Sequence, residues 1–143
     1  MKIELVDDTT DELLDGISRL IPQLKITSPH LSREAIVQML GSDAVTLLIA
    51  RSEKEVITGM LTLIVYRVPT AIRARIEDVV VDESFRGQGI AIELVKRALG
   101  IARDKGADGV ALTSNPRRCA ANRLYQKVGF KKWETNVYFL KFD

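Results

Sequence analysis

Polar and apolar positions alternate from Lys2 to Val6, the period of a strand. Thr9-Thr10-Asp11-Glu12 follows as a capping box and predicts a helix to about Leu20. Pro22 and Pro29 punctuate the next stretch, and a second helix is expected over about Ser32 to Leu40, stopping at Gly41. Ala44 to Arg51 and Val56 to Tyr66 are β-rich and joined by the polar turn Ser52-Glu53-Lys54-Glu55, which makes a hairpin. Arg73 to Asp82 is a further strand, enriched in β-branched residues at Ile76, Val79, Val80 and Val81.

After Gly89 the period changes. Ile90, Leu94, Ala98 and Ile101 recur on one helical stripe that faces a core. Gly106 and Gly109 bracket the turn into a short strand, Val110 to Thr113, and Arg117 to Val128 forms a last helix closed by Gly129. Phe130 to Trp133 and Asn136 to Lys141 supply two final strands. The order is strand, two helices, three strands, helix, strand, helix, two strands. That predicts an α/β fold with a mixed, mostly antiparallel central sheet of about seven strands flanked by four helices.

Composition narrows this picture. At 143 residues, with 46% hydrophobic and 28% charged, the chain is expected to form one domain over 1–143 around one core. A net charge of +2 does not by itself imply a nucleic-acid partner, and mildly favours an anionic ligand. Cys119 is the only cysteine, so no internal disulfide forms and no Cys/His cluster holds a metal. The acidic N-terminal stretch lacks the apolar core of a signal peptide, and no apolar run approaches the roughly 20 residues of a membrane span. The expectation is a soluble, cytoplasmic protein with no membrane partner.

The most informative segment runs from Ile76 to Ala91: a strand, a tight polar turn, and a glycine-bearing loop that enters a helix. Backbone N–H groups at a helix start have no intrahelical partner and the helix dipole favours negative charge there, so the arrangement suits a phosphate. Gly87 and Gly89 remove the Cβ atoms that would hold an anion away from the main chain, and Arg86 adds a charged donor. Two commoner phosphate motifs fail. A dinucleotide fingerprint needs glycine where Ile92 stands, and the Gly-Lys-Ser/Thr of a P-loop is absent.

Arg86-Gly87-Gln88-Gly89-Ile90-Ala91 resembles the Arg/Gln-x-x-Gly-x-Gly/Ala signature of the GCN5-related N-acetyltransferases. Ala120 to Phe130 is similar to the family's second hallmark, with Leu124-Tyr125 followed by Gly129-Phe130. The two stand in the family's order, and the element order is similar over nearly the whole chain. The resemblance implies acetyl-CoA as acetyl donor, its pyrophosphate on the amides of Arg86, Gly87, Gln88, Gly89, Ile90 and Ala91. It also implies a pantetheine arm paired along Val79, Val80 and Val81 like a neighbouring strand, a role to which unpaired main-chain groups are suited. The substrate is then a small-molecule or peptide amine, with no nucleic acid, and a homodimer stays open. The Ile76 to Val81 run also resembles glucosamine-phosphate acetyltransferases, with Arg73 and Arg75 as receivers of a phosphate.

Such a transfer needs an amine freed of its proton and a proton for the departing thiolate. Glu77 is the candidate base, two residues and about 7 Å along the strand from Val79. An ordinary carboxylate paired with Arg73 or Arg75 is the other reading of Glu77. The resemblance assigns Tyr125 as general acid toward the sulfur; an aromatic at the core edge beside Ala120, Leu124 and Val128 is its alternative. Asn115 and Asn122 are candidate cofactor ligands, although many family members carry that asparagine where Arg118 stands. Arg117 and Arg118 are candidates for the 3′-phosphate or a solvated helix start. His30 reads as a surface residue, and Cys119 as a small packed one with no histidine to activate it. Against catalysis stands a non-catalytic acyl-CoA sensor, with the same loop and no chemistry.

Overall fold

The computed structural model describes residues 1–24 and 31–143, and His30 lies outside them. Residues 1–113 form one compact unit and residues 114–143 a second.

In the first unit β1 (Lys2–Leu5), β2 (Val45–Arg51), β3 (Ile57–Val68), β4 (Ala71–Val81) and β5 (Val110–Ala111) make one sheet in that order. The first four are antiparallel neighbours; β5 joins β4 in parallel. With α1 (Asp11–Leu24), α2 (Arg33–Leu40), α3 (Ile90–Asp104) and, in the second unit, α4 (Cys119–Val128), the mixed sheet and four helices agree with the sequence. The sheet has five strands, not about seven. Phe130 to Trp133 and Asn136 to Lys141 take no strand structure, and every residue from 131 to 143 is exposed. A β-rich run becomes a strand only where a neighbouring edge accepts its hydrogen bonds, so strand composition by itself does not make these residues strands.

Local signals set the helices. Thr10 Oγ1 accepts the N–H of Leu13 at 3.1 Å, so the cap of α1 falls one residue after the Thr9 that opens the expected capping box, and Glu12 pairs with Arg51 instead; Ser32 Oγ accepts the N–H of Ala35 at 3.1 Å and caps α2. Helix α1 does not stop near Leu20; it continues through Pro22, because the apolar stripe of Leu13, Ile17 and Leu20 is buried and outweighs one lost backbone bond near the helix end. In α3 the fourth buried stripe position is Ala102 rather than Ile101.

Burial on both faces explains the apolar strands. Leu47, Ile49, Met60 and Val80 share a core with Leu13, Ile17 and Leu20 of α1 and Ile36 of α2. Leu48 and Leu61, registered against each other, point the opposite way and are fully buried. Gly59 marks a close approach of α3 to the sheet. A Cβ there would lie 3.2 Å from Ile90 Cγ2, 3.2 Å from the Val80 carbonyl oxygen and 3.3 Å from Leu94 Cδ1. The missing side chain thus seats the first turn of α3 on the sheet.

Gly59→Val is expected to cost about 1–3 kcal/mol by overpacking, read as a lowered urea midpoint. Valine suits a strand, so the loss isolates the contact; an unchanged midpoint would contradict the close packing.

Candidate functional site

The strand β4 is irregular where the sequence placed its chemistry. Thr62 registers with Glu77 and Met60 with Val80, so β4 carries one residue more than β3 across this step. Asp78 has φ 52°, a left-handed conformation uncommon for a side-chain-bearing residue. Together these make a β-bulge, which bends and twists the strand locally. Val80 beyond it is buried, while Val79 and Val81 are partly exposed. Pairing with β5 is confined to Ala74 with Val110 and Arg75 with Ala111. From Ile76 to Val81, β4 has no strand on that side among the described residues.

The polar turn is fastened from below. Asp82 is buried; it accepts the Ser84 N–H at 3.0 Å and pairs with Arg19 Nε at 3.3 Å. Arg19 also donates to the Ile57 carbonyl, and Gln23 Oε1 accepts the Glu83 N–H at 2.8 Å. Two side chains of α1 therefore hold the short 3-10 turn Glu83–Phe85 through which the chain reaches the glycine loop.

Both loop glycines adopt left-handed backbone, φ 79° at Gly87 and 80° at Gly89. A Cβ on Gly87 would meet nothing within 4 Å, so conformation, not crowding, calls for glycine there. Gly89 is the N-cap of α3, and no side chain caps that end. Its first N–H groups are left for another acceptor, with the positive end of the helix dipole behind them. Arg86 and Gln88 are exposed, Ala91 is partly buried and Ile90 is buried. The Arg86 guanidinium turns back, Nε donating to the Val81 carbonyl at 3.1 Å, and so ties the loop to the end of β4.

Glu77 is partly exposed and paired with Arg75, Nε to Oε1 3.1 Å. The second of its two readings is therefore realised in this conformation, and Arg75 already has an anionic partner. Arg73 is exposed.

The second unit holds the other predicted residues. Asn115 Oδ1 accepts the Arg117 N–H at 2.9 Å, and its carbonyl accepts from Arg118 N and from Asn122 Nδ2, both at 3.0 Å. Asn122 Nδ2 also donates to the Arg118 carbonyl at 2.8 Å. The two asparagines thus shape the entry to α4, which begins at Cys119 rather than Arg117. Cys119 is exposed, not packed.

Tyr125 is buried on α4, and its ring meets Phe130 edge-on at 5.9 Å. Burial pushes its phenol above the ordinary tyrosine range, the charge of Arg118 pulling partly back. Its hydroxyl forms no hydrogen bond among the described residues. A neutral phenol with a free donor can give a proton to an anion that develops beside it. Among the described residues no cluster of His, Cys, Asp and Glu could hold a metal ion, and no helix is long and apolar enough to cross a membrane.

Sequence reasoning located the loop and missed the bulge, Arg19 and Gln23. Asp78 sits between apolar and charged strand residues without a glycine to flag its backbone. Arg19 and Gln23 lie some 60 residues before their partners, a separation that no local pattern records.

Residues 14–130 match the model of the acetyltransferase (GNAT) family. Human N-acetyltransferase 8B is 38% identical over 86 residues, 59% of this chain and 37% of that protein, so the match spans little more than a third of the relative. In three dimensions the chain superimposes on a putative acetyltransferase from Agrobacterium tumefaciens with TM-score 0.87 at 22% identity, covering 99% of this chain and all of that one. It superimposes on AAC(6')-Iy, solved with a bisubstrate analogue, CoA-S-monomethyl-acetylneamine, with TM-score 0.82 at 21% identity, covering 99% and 98%. At these identities the structures speak for the fold.

The bulge yields a test. Asp78→Val and Asp78→Gly both remove the carboxylate, so their difference isolates the backbone. The valine variant is expected to be less stable by about 1–2 kcal/mol, read from paired denaturation curves. Equal stabilities would contradict the left-handed conformation.

Proposed function

This chain belongs to the acetyltransferase (GNAT) family, and from that premise we propose that it is an acetyl-CoA-dependent N-acetyltransferase whose substrate is a primary amine of a small metabolite, amino sugar or peptide. The observation that carries the reading is one continuous stretch of main chain. A strand edge that from Val79 to Val81 has no further strand beside it among the described residues is followed, within ten residues, by a helix start at Gly89 that no side chain caps. A strand edge suits the two amides of pantetheine, and a helix start suits a diphosphate. The CoA analogue on AAC(6')-Iy, a protein of similar fold, supports the same ligand class.

The residues fit that cosubstrate. Main-chain groups of Val79, Val80 and Val81 would hold its arm, and the amides from Arg86 to Ala91 its diphosphate. When bound it supplies an acetyl group already activated as a thioester. Glu77, directly or through a water, accepts the proton that the amine gives up, and its pairing with Arg75 orients the carboxylate between turnovers. Tyr125 holds a proton for the sulfur that departs. Its raised pKa keeps the phenol neutral across the working range, so the donor form is present without a preceding protonation. Asn115 and Asn122 order the entry to α4 and thereby the helix that carries Tyr125.

Steady-state kinetics against a panel of amino sugars, small amines and peptide N-termini tests the reading by thiol release from acetyl-CoA. Tyr125→Phe is expected to lower kcat by about 10²-fold or more while KM for acetyl-CoA stays within about twofold. In wild type, rates are expected not to fall through tyrosine ionisation at neutral or mildly alkaline pH, because a raised pKa delays that loss. No turnover with any amine, alongside tight acetyl-CoA binding, would replace the enzyme with a sensor module.

A further inference from the structure

One face of the β3–β4 ribbon changes character along its length. Residues opposite one another in an antiparallel register share a face, so Thr62 with Glu77, Ile64 with Arg75 and Tyr66 with Arg73 form three successive rows. The row before them, Met60 with Val80, lies in the apolar core under α1 and α2; none of the three that follow belongs to it. On the reverse face Leu61, Leu63, Ala74 and Ile76 are all buried. Charges set in adjacent rows would cost free energy beneath a packed helix, and they suit a polar ligand. Nor do these charges cancel. Arg75 Nε lies 3.1 Å from Glu77 Oε1, so that guanidinium turns along the strand toward Glu77. Within the described residues of the first unit the Arg73 side chain has no carboxylate or hydrogen-bond partner, which leaves one positive charge over.

We propose that the acceptor amine carries an anionic oxygen group, phosphate or carboxylate, several bonds from its nitrogen, and that Arg73 receives that group. This rests on the acetyl-transfer reading, in which the amine gives its proton to Glu77. Four residues part Arg73 from Glu77, about 13 Å along a strand at roughly 3.3 Å per residue, so the two ends of one small acceptor meet different side chains. Arginine presents a planar fork of N–H donors that matches either oxyanion in two parallel bonds. Tyr66, directly opposite, adds a phenolic donor at the roughly 4.5–5.5 Å between Cβ atoms of such a pair. The phosphate that the sequence suggests at Arg73 and Arg75 together thus falls to Arg73 alone, because Arg75 is occupied by Glu77.

Matched acceptors test it. Propanolamine, γ-aminobutyrate and propanolamine phosphate share a chain and differ in end group, as do glucosamine and glucosamine phosphate. The anionic members are expected to exceed the neutral ones in kcat/KM by about tenfold or more, and the ranking of carboxylate against phosphate identifies the group. Arg73→Gln is expected to abolish that preference and Arg73→Lys to keep part of it, with circular dichroism unchanged. In isotope-labelled wild type, propanolamine phosphate is expected to shift the Arg73 Nε–H resonance saturably and propanolamine to leave it in place. Turnover without an anionic preference, or a preference that survives Arg73→Gln, would overturn the proposal and leave acetyl transfer standing. No turnover with any amine would instead sink the transfer reading, and the titration then decides the anion site: an unmoved Arg73 resonance would overturn it as well.

Discussion

Two parallel strands that stop pairing after two residues govern the first unit. β4 and β5 meet at Ala74 and Arg75, and beyond that point β4 runs on beside β3 with no strand on its other side among the described residues. Main-chain N–H and C=O groups are obligatory hydrogen-bonding partners, so an edge exposed in this way calls for another chain or an extended ligand. The bulge at Asp78 lies between that short pairing and the glycine loop. Strand edge and helix start, two solutions to the same shortage of backbone partners, are thereby joined in one segment.

The surrounding structure holds this segment in place. Arg19 and Gln23 of α1 grip the turn after β4, and Gly59 lets α3 settle against the sheet. Arg86 folds back onto Val81 and binds loop to strand. Each hydrogen bond alone contributes modestly, on the order of 1 kcal/mol net. Their effect is positional: they fix where the amides of the loop point.

Much of this was legible from residue patterns because the signals were local. Alternation marked β1, the hairpin and β4; the stripe from Ile90 marked α3; glycines marked the loop. The failures share a cause in tertiary context. Pro22 was read as a stop, yet burial of Leu20 carried the helix past it. The bulge needs the register of β3 to be seen, and Asp78 alone does not declare it. Phe130 to Trp133 and Asn136 to Lys141 have strand composition, but composition cannot supply the edge that makes a strand. The hydrogen bonds by which Asn115 and Asn122 shape the entry to α4 depend on the turn between them, which composition does not record.

The central claim is that the main chain from Val79 to Ala91 holds a diphosphate and an amide-bearing arm, and amide NMR tests it most directly. On titration of the folded, isotope-labelled protein with acetyl-CoA, the largest shifts are predicted at Val79 to Val81 and at Gly87 to Ala91, saturating together with one affinity. Saturable binding whose shifts lie elsewhere, or no shifts at all in a protein with native spectra, would contradict the account.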